Sequence, residues 1–556
     1  MSANTSDGPG LVRHYRHVLL WPLQLRVEAA RDWRGEPWEL LTKVAGDVWQ
    51  PVEDEFTLDP SEFQERHYQE FVSFLPYVQR FLYGEMRCAR DRRDKGFGES
   101  PMRVMRRRDV AALRVWLTPE TEPVTVSVAH ADLYFFHDMD VVVLNVELYA
   151  EDLPLSLAQQ MLYRFGRAYP SGWHASGQGL HNTWRSEWLD AEGRVLMHSD
   201  SSQRERFLHF VCEHRAPATS AHWAFLLQPL VQDAADEDGA LRYRQIEYHR
   251  MPLLAYLALD NPRALTKEEF TRLGLVTSLR PGDALPKRDP SVTQFEERYC
   301  DDRFWTDCDD GPNTRFICTG SALIVVGDAR SRYFRDANKG LLSQFRHQYF
   351  LLFLIAHFHR AVLLHFSGLL VDAISGLDAN DNDSVRRFKR RIRSYFESFL
   401  RFSHRYWFFE LSERGQVQSL FRRCSEQLGN DRLFAKIKDD IGEMSRYLDS
   451  DSQRRQSNTV VRLTVVTIFG LVATIVTGYF GMNVLLFSEA PLTHRIFYLV
   501  MVTAIALALT GFAIVKSKRL SDFIEALADE RMDTRGKLSA LGQVLWHRRS
   551  DDIQGR

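Results

Sequence analysis

Several absences narrow the function of this chain before any motif is considered. It has no G-x-x-x-x-G-K-[ST] phosphate loop and no G-x-G-x-x-G turn, so an ATP-driven or dinucleotide-dependent mechanism is not indicated. No catalytic triad is apparent, and the reading is of a protein that is not an enzyme and carries no resident cofactor. The six cysteines, at 88, 212, 300, 308, 318 and 424, contain no C-x-x-C pair. They read as reduced thiols of a cytoplasmic domain rather than as a disulfide frame. Charge of one sign is also missing: 71 Lys and Arg stand against 73 Asp and Glu, a net charge of -2. Domains that hold phosphate backbones are usually strongly basic, so no nucleic-acid partner is expected. The sharpest basic run, RVMRRR at 103–108, reads as a solvated face rather than a binding patch. The opening residues, MSANTSDGPG, lack a charged-then-apolar pattern, so no cleavable signal is expected. A mean hydropathy of -0.31 excludes a polytopic membrane protein and leaves room only for a minor membrane part.

What is present changes character along the chain. Residues 1–340 read as a cytoplasmic α/β domain. β-branched apolar runs at 124–128 and 141–148 predict strands, and helical spacing over 155–165, behind Pro154, predicts a helix that starts where a missing N–H costs little. A further strand is predicted within 315–326, and Asp-, Gly- and Pro-rich loops at 233–239 and 301–312. From 341 to 459 helical signals dominate. The stretch 344–374 is apolar, but its longest uninterrupted run, 349–356, is far short of the ~20 residues of a spanning helix, so a buried helix is expected. A strongly basic helix over 385–411 and another helix between 414 and 431 follow. No proline then occurs from about Asp431 until Pro491. A helix continuous from Asp431 to Asn483 is roughly 80 Å long at about 1.5 Å per residue, the length of a stalk entering a membrane.

Two charge-free stretches lie at the end of that stalk, LTVVTIFGLVATIVTGYF at 463–480 and IFYLVMVTAIALALTGFAIV at 496–515. Each approaches the ~20 residues that cross a bilayer, and neither shows the polar face of an ordinary core helix. The expectation is a first span at 460–483, an external loop at 484–495, a second span at 496–515 and a basic tail at 516–556. Arg454, Arg455 and Arg462 before the pair, with Lys516, Lys518 and Arg519 after it, place both termini in the cytoplasm of an inner, or plasma, membrane.

One face of the first span carries Val460, Thr464, Thr467, Leu471, Thr474, Gly478 and Gly481, in alternating steps of four and three. Small and hydroxylated residues on one stripe fit close helix packing in a membrane and fit a wet pore wall equally well. The stripe continues toward the N-terminus through Ser457, Gln453, Ser450, Arg446, Glu443 and Asp439. An apolar line, Phe434, Ile437, Ile441, Met444 and Leu448, runs beside it. A water-filled bundle has this pattern, and so does an amphipathic surface helix.

The span ends in Thr474-Ile475-Val476-Thr477-Gly478-Tyr479-Phe480-Gly481-Met482-Asn483. An aromatic residue followed by Gly-Met-Asn at the outer end of the first of two terminal spans closely resembles the CorA family of magnesium transporters. The resemblance covers about 431–520. It implies an α+β cytoplasmic domain, long helices and a two-helix transmembrane hairpin, assembled as a funnel-shaped homopentamer. It implies no nucleic-acid partner and a transported ion, Mg²⁺ with Co²⁺ or Ni²⁺ as relatives, or Zn²⁺ as in the ZntB branch. Gly481, Met482 and Asn483 would form the selectivity filter, with Asn483 holding the ion through its hydration shell. Thr474, Thr467, Thr464, Leu471, Val460 and Gly478 would line the pore, and Glu489 in the loop would attract cations or remain a solvated charge. The chain departs from the family in its larger first domain, its longer tail and its basic helix at 385–411, where the family carries acidic helices beside the stalk. A non-conducting, membrane-anchored sensor or scaffold is the alternative of a different class. Cys300-Asp301-Asp302, Asp307-Cys308-Asp309-Asp310, His357, His359 and His365 are read as a loop and core residues rather than metal ligands.

Overall fold

The computed structural model describes residues 10–27, 35–52, 65–84, 100–247, 250–279, 283–286, 288–306, 312–378, 381–446 and 491–515, and the first span at positions 460, 463, 467, 470, 473, 474 and 478. The chain divides into two compact units, Met1–Glu443 and Met444–Arg556. The change at 340 is therefore one of secondary structure, with strands giving way to helices inside one unit.

The first unit is built on a 14-stranded sheet. Its longest strand, β1 (Leu11–Val27), holds the run Val18-Leu19-Leu20-Trp21, in which both faces of the strand are buried. A strand covered on both sides loses the two-residue alternation that marks it in a sequence, so β1 escaped the sequence reading. The strands expected at 124–128 and 141–148 are the beginnings of a longer hairpin, β2 (Val124–Phe136) and β3 (Val141–Pro154). Helix α1 (Leu155–Arg164) follows at once with Pro154 as its N-cap. On the far side of β1 lie β4 (Leu253–Leu259), β5 (Arg315–Cys318) and β6 (Ala322–Asp328). The strand expected within 315–326 is thus two, folded back at a tight turn where Gly320 has φ +83°.

The order across the sheet runs from Cys300–Asp301 through β5, β6, β4, β1, β3 and β2 to Ala112–Trp116, Arg185–Leu189 and Val195–His198. Only β4 and β6 in this series are parallel. Two strands are long enough to serve two neighbours. The start of β1 pairs with β4 and its end with Leu241–Gln245, and β2 pairs with Ala112–Trp116 and then with Met102–Arg107. Register shifts at Val12/His14 and Val128/His130 bend the strands that share themselves in this way.

Helices cover both faces, as in an α+β fold. Tyr15, Leu19, Trp21 and Leu23 point to the face closed by α1, where Phe165, Trp188 and Trp223 complete an aromatic core. The opposite face receives α2 (Phe350–Ser375), whose Phe358 stacks on Phe136 with ring centroids 3.8 Å apart. Judged over the described residues, Leu341–Ser375 is the one helix long and apolar enough to cross a membrane, yet 83% of its apolar window is buried inside the protein. Apolar all round and enclosed, it is a core helix.

Helix α3 (Asn382–Arg405) is capped by Asp381 and buries Phe388, Ile392, Phe399 and Phe402 along one stripe. Helix α4 (Gly415–Leu428) ends at Gly429 in the left-handed conformation that closes many helices. The next helix, α5, begins at once and is described over 430–446. Its seams follow the sequence expectation within that range: Ile437 and Ile441 are buried, while Asp439, Glu443 and Arg446 are exposed.

In the second unit the seven described positions of the first span are all helical. The second apolar stretch forms α6 (Leu492–Val515), which starts directly after Pro491, four residues before the expected boundary. Ile496, Phe497, Val500 and Ile505 are exposed. An apolar helix with its large side chains uncovered is the opposite case to α2.

Candidate functional site

Of the residues expected to form the ion pathway, Val460, Thr467, Thr474 and Gly478 are described, and Gly481, Met482, Asn483, Thr464, Leu471 and Glu489 lie outside the described residues. The four that are described are helical and exposed. Their spacing of seven, seven and four places them on one stripe, which drifts by only about 20° per heptad on a straight helix.

The threonine hydroxyls on this stripe have a defined polarity. Thr467 Oγ1 donates to the Leu463 carbonyl at 2.8 Å, and Thr474 Oγ1 donates to the Gly470 carbonyl at 2.8 Å. A hydroxyl has one proton and two lone pairs, so a hydroxyl that donates its proton to a carbonyl can meet other groups only as an acceptor. The water shell of a cation points its oxygens inward and its hydrogens outward. Acceptors are therefore the groups that can touch a hydrated cation without competing for it. Gly470 and Gly478 supply no side chain on this helix, and among the described residues no atom lies within 4 Å of a Cβ built on either.

In the first unit the groups that resemble metal ligands are used otherwise. Asp302 grips Arg315 through two bonds of 2.8 and 2.9 Å, and Asp301 accepts from Ser419 Oγ at 3.0 Å. Burial pushes the Cys300 thiol up to about 12, far from a thiolate. Asp307, Cys308, Asp309 and Asp310 lie outside the described residues. His357 Nε2 donates to the Gly320 carbonyl at 3.1 Å and His359 Nε2 to the Tyr406 carbonyl at 2.6 Å. Burial holds their protonation down to about 3 and about 4. His365, half-buried, faces Asp140 at 4.0 Å. All three are structural, as read from the sequence.

The basic run at 103–108 does not form the solvated face expected of it: it lies in a strand, Met102–Arg107, paired with β2 on one side and with Trp49–Pro51 on the other, and two of its arginines are turned into the protein. Arg106 binds Asp132 in a fork of 2.7 and 2.9 Å, and Asp132 is 1% exposed. Arg107 grips Asp109 and caps the carbonyls of Phe225 and Leu226. Nearby, Glu147 on β3 pairs with Arg16 on β1 and lies 3.6 Å from His130 and 3.5 Å from Arg346. Arg346 projects from a single π-helical turn, Phe345–Tyr349, that precedes α2. This charged layer fastens α2 to the sheet. It was invisible in the sequence because Arg16 and Glu147 are 131 residues apart.

Among the described residues one group could hold a metal ion, Glu213, His214 and Asp236, with ligand atoms within 4.8 Å of one another. Its two carboxylates are exposed, and Glu213 is already engaged by His209 at 3.4 Å.

With this arrangement in hand, comparison with known proteins gives one positive result. Residues 426–519 match the family of CorA-like Mg²⁺ transporter proteins. The match begins near the end of α4 and takes in α5, the first span, the Gly481-Met482-Asn483 tripeptide and α6. No curated protein sequence matches the chain.

Proposed function

We propose that this chain, whose residues 426–519 match the CorA-like Mg²⁺ transporter family, is a passive Mg²⁺ channel, with Co²⁺ or Ni²⁺ as secondary ions. The observation that carries the reading is the placement of Gly481-Met482-Asn483 inside the matched segment, at the end of the first of its two apolar stretches. Five copies assemble around an axis, and the first span of each faces the pore. The second span, 496–515, packs outside it, and the basic residues on both outer flanks keep the termini on the cytoplasmic side of the inner membrane.

Mg²⁺ releases its water reluctantly, so the pathway has to handle an ion with its shell in place. A ring of Asn483 amide oxygens accepts hydrogen bonds from that shell without stripping it. Being neutral, it binds weakly enough for the ion to leave, as conduction requires. Gly481 allows the chain to turn away from the helix, and Met482, whose thioether is a poor ligand for a hard cation, supports the turn by packing. Below the filter, Thr474, Thr467 and Thr464 offer hydroxyl oxygens to the shell, and in two of them the hydroxyl proton is donated to a backbone carbonyl, of Gly470 and Leu463. Gly478 leaves the passage wide beneath the filter, while Leu471 and Val460 narrow it with apolar rings that gate by excluding water. Glu489 raises the local cation concentration at the mouth.

The test is flux into liposomes carrying the purified full chain, with Mg²⁺ and Zn²⁺ compared side by side. Faster Mg²⁺ uptake supports the reading, and uptake of Zn²⁺ alone would transfer the chain to the zinc-transporting branch. Sizing in detergent checks the pentamer independently.

A further inference from the structure

Helix α3 presents a face that the ion pathway leaves unexplained. It carries eight cations (seven Arg and Lys389) against two acids, Asp383 and Glu397, a balance of +6 on one helix of a chain whose net charge is -2. With Phe388, Ile392, Phe399 and Phe402 turned inward, helical geometry puts Arg386, Arg390 and Arg393 on the opposite, exposed face, with Arg387 and Arg391 beside them. The ion pairs on this face are long and solvent-exposed: Arg386 to Asp383 at 3.6 Å, Arg387 to Asp381 at 3.5 Å and Arg393 to Glu397 at 3.2 Å. Such pairs neutralise little. Arg390 and Arg391 have no acidic partner among the described residues. Along one border of the basic face, Phe396 and Leu400 are 38% and 39% exposed. A cationic face edged by uncovered apolar side chains is the pattern of a helix that lies on a lipid surface.

The packing of α3 gives its direction. Phe399 meets Phe366 of α2 at 5.5 Å, whereas Phe402, further along α3, meets Phe358, earlier in α2, so the two helices are antiparallel. Asn430 of α5 donates to the Ala356 carbonyl of α2 at 2.9 Å, and the Phe434 ring packs against Phe399 with centroids 5.4 Å apart. Helix α5 therefore runs with α2 and against α3. The Arg386–Arg393 end of α3 thus points the same way as the Glu443 end of the first unit. From Glu443, 17 residues of chain lead to Val460, a length of at most about 60 Å even when fully extended. That connecting stretch adds Arg454 and Arg455.

We propose that the Arg386–Arg393 face of α3 docks on the anionic phospholipid headgroups of the cytoplasmic leaflet. This leaflet carries a negative surface potential that attracts basic segments close to it. Phosphate groups match the guanidinium fork of Arg390 and Arg391, and Phe396 and Leu400 enter the interface at the edge. The proposal rests on the membrane reading above, but it concerns a surface that takes no part in conduction.

The test is amide hydrogen exchange over residues 386–405 of the full chain in nanodiscs of phosphatidylcholine, with and without phosphatidylglycerol. Docking predicts severalfold slower exchange only when phosphatidylglycerol is present. High salt is expected to abolish the effect, as are R390E/R391E and the milder R390Q/R391Q. Equal exchange in the two lipid mixtures overturns the proposal. So does slowing that survives salt and both variants, which would assign the face to a protein neighbour. Mg²⁺ flux from the same preparations keeps the two readings apart, because a conducting chain with an unprotected α3 refutes the docking alone.

Discussion

Four histidines of the first unit are buried and held neutral, and together they predict a steep loss of stability in mild acid. Burial brings the protonation of His17, His222 and His357 down to about 3 and that of His359 to about 4. In the unfolded chain the same rings protonate near 6.5. As pH falls below 6.5 the unfolded state takes up protons that the folded state refuses, so stability falls with pH until the folded values are reached. The window is pH 6.5 down to about 3, with His359 dropping out near 4. It lies mostly above the range of ordinary carboxylates, and Asp140 and Glu247, which burial raises, oppose the trend. Between pH 7 and pH 5 each histidine costs about 2 kcal/mol, at 1.36 kcal/mol per unit, and the four together about 7–8 kcal/mol. That is comparable to the whole stability of many domains. In thermal unfolding of the detergent-solubilised chain followed by tryptophan fluorescence, the midpoint should fall on the order of 10 °C between pH 7 and pH 5. His359→Gln preserves a donor for the Tyr406 carbonyl but cannot be protonated, so it should remove about a quarter of the slope. A midpoint that moves by less than about 2 °C, or a slope unchanged by His359→Gln, would refute the argument.

Two further outcomes follow from other parts of the molecule. Arg106→Met leaves the Asp132 carboxylate buried without its partner, a loss of about 3–5 kcal/mol, and adding Asp132→Leu should restore much of it; denaturant titration of both variants checks this. Thr474→Val keeps the volume of the side chain but removes the acceptor, so Mg²⁺ flux should fall while the assembled size in detergent stays the same.

What could be read in the sequence depended on whether a feature was local. The turn from β3 into α1 was legible because Pro154 and the change of period from two to 3.6 sit side by side. Of the stripe on the first span, Val460, Thr467, Thr474 and Gly478 are helical and exposed, and the other members lie outside the described residues. The role of His357 and His359 was also legible, since two rings two residues apart cannot share a helix face, and each found its own carbonyl. Long-range features were not. β1 hid because burial on both faces erases alternation. The arginines at 106 and 107 looked solvated because their partners, Asp132 and the carbonyls of Phe225 and Leu226, come from distant segments. The pair of strands inside 315–326 looked like one because only Gly320, in a left-handed turn, separates them. The basic character of α3 was plain in the sequence, but which side of it is exposed became visible only with Phe388 and Ile392 seen buried.

In the proposed channel the first span lines a path for a hydrated divalent cation and Asn483 forms its outer ring. The most direct measurement is the initial rate of Mg²⁺ uptake by liposomes reconstituted with the wild-type chain, with Asn483→Ala and with no protein. The account predicts uptake well above the protein-free rate for the wild type and a clear change in rate for Asn483→Ala. A wild-type rate equal to that of empty liposomes would contradict the channel itself, and an unaltered rate in Asn483→Ala would contradict the place given to Asn483 in it.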